Sequence, residues 1–181
     1  VDLETCPNKC QFERCKLQGR SVTSVVTAEA IQKGEIESVV NLLGGARSFS
    51  HAVQSLLDVH QAILEGFPNR TLTYLADHAT FLQQDSLMAK AIGISLRTLR
   101  LLKMESYAKP LSKSQSNRIW AFATTLARAT RVLGTQEGAE FWLSNRVIGL
   151  NQQRPIDLIA TSAGLRIVED HLDQIEFGVY V

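Results

Sequence analysis

The sequence predicts an all-α fold, and three observations carry the prediction. Apolar residues recur at the three- and four-residue spacing of a helix face, as in Val53, Leu56, Leu57, His60, Ile63 and Leu64. Glycines and prolines close these segments at Gly44-Gly45, Gly66-Phe67-Pro68, Gly134 and Gly178. The apolar–polar alternation of a half-buried strand is nearly absent.

Residues 1–27 mix Cys, Lys, Gln, Ser and Thr without periodicity and read as a poorly ordered lead. From Ala28 the text turns helical, through Ile31, Val39, Val40, Leu42 and Leu43 to Gly44-Gly45. Ser50 can cap a second helix that ends at Gly66-Phe67-Pro68. A third is expected from Thr71 to Gln83, through Leu72, Leu75, Ala79 and Leu82. Two short helices flank Gly93, and a long one runs from about Ser112 to Leu133. Another covers Glu137 to Ser144. Pro155 suits the first turn of a short helix. Thr161 or Ser162 caps the last helix, which Gly178 stops. The expectation is about eight or nine helices, in a helical region 28–133 and a C-terminal region 134–181.

Several function classes have no residues to support them. No apolar run approaches the roughly 18 residues that span a bilayer, and the first residues lack a signal-type apolar core, so a soluble protein is expected. Cys6, Cys10 and Cys15 are one ligand short of a usual zinc site, and His51 is the nearest histidine, so no metal is expected. There is no phosphate-cradling Gly loop, HExxH pair or GxSxG elbow. His51, His60, His78 and His171 fall on separate predicted helices. Neither a catalytic residue nor a cofactor is expected, and the protein reads as a non-enzyme.

Charge is distributed unevenly. The net charge is −3 over residues 1–85, +8 over 86–131 and −4 over 132–181. The basic middle contains Asp85 to Met104, DSLMAKAIGISLRTLRLLKM, which reads as a helix-turn-helix. Ala89 supplies a small residue for a close crossing, Gly93 a tolerant turn, and Leu99 an aliphatic side chain that closes the core. Met88, Ile92, Ile94 and Leu102 take the other buried positions. Ser95 caps the second helix, whose exposed face offers Arg97, Thr98, Arg100 and Lys103 to DNA. One copy of such a unit would bind weakly, so a two-fold homodimer on repeated half-sites of an operator is expected.

The C-terminal third carries a denser set of markers. These are Ala139-x2-Trp142-Leu143, Gly149-Leu150, Arg154-Pro155-Ile156-Asp157-Leu158-Ile159, Thr161-x2-Gly164, Val168 and Ile175-Glu176-x-Gly178. With AIGISLRTLRLLK, ARATRVLG and the upstream Leu42-Leu43-Gly44-Gly45 and Gly66-Phe67-Pro68, they resemble the Xre/MbcA/ParS-type antitoxins over residues 39–181. Residues 1–38 find no counterpart. The resemblance implies a cytoplasmic, bacterial type II toxin–antitoxin protein: a helix-turn-helix domain followed by a small helical toxin-binding domain. It implies a RES-domain toxin that uses NAD, whose active-site entrance the C-terminal part covers. It also implies repression of the protein's own operon. Lys103-Met104-Glu105 departs from the Arg-rich stretch frequent after the recognition helix, which bears on the strength of DNA binding. A reading from another class is a stand-alone transcriptional regulator whose C-terminal helices only dimerise.

On the last helix, Leu165, Val168, Leu172, Ile175 and Val179 form an apolar seam. Glu169, Asp170, Asp173 and Glu176 lie opposite, and an acidic surface would match the positive mouth of an NAD pocket. Gly178 ends the helix, and Val179, Tyr180 and Val181 then form an apolar hook. The residues expected to meet the toxin are Asp173, Ile175, Glu176, Gly178, Val179, Tyr180 and Val181.

Overall fold

The computed structural model describes residues 33–104 and 110–178. Among them are nine α-helices, three short 3-10 turns and no β-strand. The described part of α1 covers residues 33–42. It is followed by α2 (Leu56–Glu65), α3 (Asn69–His78), α4 (Asp85–Ala91) and α5 (Leu96–Met104). The long α6 (Lys113–Leu133) leads to α7 (Gln136–Ser144), α8 (Pro155–Leu158) and α9 (Ser162–Phe177).

Local chemistry accounts for most boundaries. Ser112 caps α6 in a reciprocal box with Gln115, and Gly134 ends it in the left-handed region at φ 88°. The cap of α2 is Ser55, not the expected Ser50. Ser55 and Asp58 exchange hydrogen bonds in a second capping box, and Val53 packs into the core ahead of the helix. The backbone N–H groups of Gln54 and Ser55 donate to Asp58 and hold its carboxyl below the usual aspartate range. The helix expected from Thr71 to Gln83 is broken. α3 ends at His78, Ala79 is extended, and Thr80–Gln83 form a 3-10 turn.

The buried core is one continuous cluster, with Leu43, Phe67, Leu72, Ile119, Phe122, Leu126, Leu143 and Ile156 among its members. α6 is its spine: α2, α4, α7 and α9 all pack on it. Phe67 lies between Phe49 and Trp120 in edge-on contacts, with ring centroids 5.3 and 6.5 Å apart.

Candidate functional site

The turn between α4 and α5 is built as a helix-turn-helix requires. Gly93 sits at φ 79°, and an added Cβ would come within 2.6 Å of the Arg118 guanidinium. Arg118 lies there because it donates to the Lys90 carbonyl, at 2.9 Å, near the C-terminal end of α4. Ser95 accepts from the Thr98 N–H at 3.2 Å, as a helix cap does. The Leu96 N–H donates to Asp85 at 2.8 Å, so the first residue of α4 holds the start of α5. Met88, Ile92, Ile94 and Leu99 are buried as expected. Ala89 is exposed, and Ala91 is the buried small residue instead. The buried stripe of α4 is Leu87, Met88, Ala91 and Ile92, which turns Ala89 and Lys90 outward.

Arg97, Thr98, Arg100 and Lys103 are all exposed on α5, but they do not share one stripe. Leu99 marks the buried side, so Arg97, Leu101 and Met104 face directly outward. Arg100 and Lys103 lie along a groove against α3, where Lys103 pairs with Asp77. Such an exposed pair contributes roughly 0.2–1 kcal/mol and leaves the ammonium available to a phosphate.

Polar contacts tie this unit to the C-terminal helices. Lys90 reaches Asp157 on α8 at 2.8 Å, and Arg154 reaches the other oxygen of the same carboxylate at 2.8 Å. Burial by itself would push the Asp157 carboxyl up, but the hydrogen bonds from Lys90 and Arg154 outweigh it and hold the group below its ordinary 3.8. A depressed carboxylate contributes stability above its unfolded pKa and loses it as pH falls through the folded value. Asp157→Asn should therefore lower stability at pH 7 by at most about 1 kcal/mol. Thermal melts of variant and wild type should converge only once the pH has fallen below the lowered folded value of Asp157, where both positions are neutral.

The C-terminal helices close round Ala139, Leu143, Leu150, Ile156, Val168 and Leu172, all buried. Thr161 caps α9 by accepting from the Gly164 N–H at 3.1 Å. Gly164 lies so close to α8 that an added Cβ would be 2.1 Å from the Leu158 carbonyl oxygen. His171 packs on Gly149, where a Cβ would be 2.2 Å from its ring, and stacks on Trp142 with an 11° interplanar angle. Most sequence markers of this region are thus the residues that let α7, α8 and α9 approach one another.

This geometry coincides with a known family. Residues 128–178 match the model of the antitoxin Xre/MbcA/ParS C-terminal toxin-binding domain. Over this segment the chain is similar to the toxin-binding domain of Xre/MbcA/ParS antitoxins. A comparison with curated proteins found no match. The matched segment starts inside α6, so it takes the C-terminal turns of the spine together with α7, α8 and α9.

The expected toxin-contacting residues fall in different places. Ile175 is half-buried on the core side of α9, and Gly178 caps the helix at φ 67°. Asp173 pairs with Arg128, and Glu176 accepts from Arg131 at 3.2 Å, both arginines lying on α6. Glu35 of α1 is the second partner of Arg131, at 2.6 Å. Burial pushes the Glu169 carboxyl of the same helix up. Asp173 and Glu176 are thus engaged by the molecule's own arginines, while Asp170 is exposed. Val179, Tyr180 and Val181 lie outside the described residues, as do Cys6, Cys10 and Cys15. Among the described residues, no cluster of His, Cys, Asp or Glu is placed to hold a metal, and no helix is long and apolar enough to cross a membrane.

Sequence reasoning did not single out the outward Leu101 and Met104, nor the Lys90–Asp157–Arg154 tie. It also passed over Phe141, Ile148, Ile167 and Phe177, all exposed on the matched segment. Helical spacing would have flagged Ile167 and Phe177, ten positions apart on one face.

Proposed function

We propose that this chain is a non-enzymatic antitoxin that binds and neutralises a RES-domain, NAD-consuming toxin by covering its active site with the C-terminal region. The observation that carries the reading is the match of residues 128–178 to a toxin-binding domain, supported by the chain's resemblance to the antitoxins of RES toxins. Co-expression with the product of the adjacent gene, which this reading expects to be a RES-domain toxin, tests the reading. The toxin alone should arrest growth, and the pair should grow and co-purify. Arrest in the presence of this chain, with no co-purification, would leave the stand-alone regulator as the better reading.

The same protein binds its own promoter as a repressor, as a homodimer that places two recognition helices on one operator. The outward position of Arg97 and the capped, clamped start of α5 support this part. Each good base contact contributes about 1–3 kcal/mol of discrimination. Arg97→Ala with Arg100→Ala should therefore abolish a gel shift on the promoter while leaving the circular dichroism melt unchanged. A retained shift would show that α5 does not read DNA.

A further inference from the structure

α9 presents three sides, and two of them are already occupied. Leu165, Val168 and Leu172 turn towards the core, and Ile175 is half-buried. Asp173 and Glu176 are held by Arg128 and Arg131. The third side carries Ile167, Asp170, Gln174 and Phe177 at spacings of three, four and three residues. Ile167 is 51% exposed and Phe177 73% exposed. Two large apolar side chains on this otherwise polar side, Ile167 and Phe177, stand in water with no partner in the core cluster.

The outer side does not end at the helix. His171, at its edge, stacks on Trp142 and fills the space that Gly149 leaves. Ile148, next to Gly149, is consequently displayed on a braced turn at 83% exposure. Isolated surface leucines and isoleucines are ordinary; large apolar side chains grouped on a rigid frame mark a binding surface.

We infer that the toxin docks on this outer apolar face, centred on Ile148, Ile167 and Phe177, and not on the acidic side of α9. The inference rests on the toxin-binding reading and deepens it. All three residues lie inside the matched toxin-binding segment, and Asp173 and Glu176, two of the acids that would have offered charge complementarity, are paired within the molecule. The partner surface that fits Ile148, Ile167 and Phe177 is an apolar wall or cleft of the toxin.

Ile148→Asp and Phe177→Asp in the full chain test the assignment, with calorimetric titration against a RES-domain toxin. Central apolar anchors typically cost a complex about 30-fold or more when removed. Each variant should lose roughly that much affinity and keep the wild-type melting temperature, because both side chains stand in water in the free chain. Wild-type binding should also change little with salt, as expected when charge does not dominate. Undiminished affinity in both variants would overturn the assignment. So would a change in the free chain's mass by light scattering, which would give the face to a second copy. If wild type itself failed to bind, the toxin reading would fall and this inference with it.

Discussion

Phe67→Ala should lower stability by about 3–5 kcal/mol, among the largest losses a single substitution can cause here. The ring is fully buried and touches Phe49 and Trp120, so its removal opens a cavity lined by other aromatics. The main chain leaves little room to collapse into that cavity. The Phe67 N–H donates to Ser116 at 2.8 Å, and its carbonyl accepts from the Leu111 N–H at 2.8 Å. Gly66, at φ 87°, would bring a Cβ within 2.2 Å of the Leu111 carbonyl oxygen, which fixes the strand-like crossing on its other side. In a domain of this size the loss amounts to a fall of roughly 10 °C in Tm, readable by calorimetry. A fall of only a degree or two would mean that the Gly66-Phe67-Pro68 crossing is not part of the cooperative core.

Gly164→Ala should destabilise by about 1–3 kcal/mol, although alanine is the better helix former. The added methyl would meet the Leu158 carbonyl oxygen at 2.1 Å, and main chain cannot swing away as a side chain can. α8 and α9 would have to separate, which disturbs Ile156 and Val168 in the core beneath them. Gly34→Ala is the opposite case. Gly34 lies exposed on α1 with no atom within 4 Å of an added Cβ, so the change should stabilise by about 0.5–1 kcal/mol. Equal signs for the two substitutions in urea titrations would contradict the close packing of α8 on α9.

These two glycines illustrate what could be read in advance. The spacing Thr161-x2-Gly164 is local, so a cap and a helix start were both legible. That Gly164 must be small depends on where α8 passes, and no local pattern records it. The same division holds elsewhere. The all-α class, the long α6, Gly93 as a turn and Gly178 as a stop all follow from periodicity and left-handed glycine. The break at Ala79 does not, because its reason lies sixty residues downstream. Buried Glu140 on α7 accepts from the Thr80 hydroxyl at 2.8 Å and from the Phe81 N–H at 3.4 Å, which favours the 3-10 turn over a continued α3. The Ser55 cap was hidden for a different reason: Val53 fits the helical period of α2 although it packs into the core from the preceding loop.

The candidate surfaces divide in the same way. Arg97 and Thr98 could be placed on the outside of α5 from spacing alone, and the structure puts them there. Asp173 and Glu176 could equally be placed on one side of α9. What that side faces depended on Arg128 and Arg131, two positions of a basic stretch whose other members lie towards the helix-turn-helix. Charge summed along the chain only places those arginines in the basic middle, residues 86–131. In three dimensions they belong to an internal network among α1, α6 and α9.

The central claim is that this chain silences an NAD-consuming enzyme by binding it, and inhibition of that enzyme tests the claim most directly. Purified full chain, titrated into NAD with a RES-domain toxin, should reduce NAD consumption to background at a fixed molar ratio. NAD consumption that continues unchanged at a large excess of the chain would contradict it.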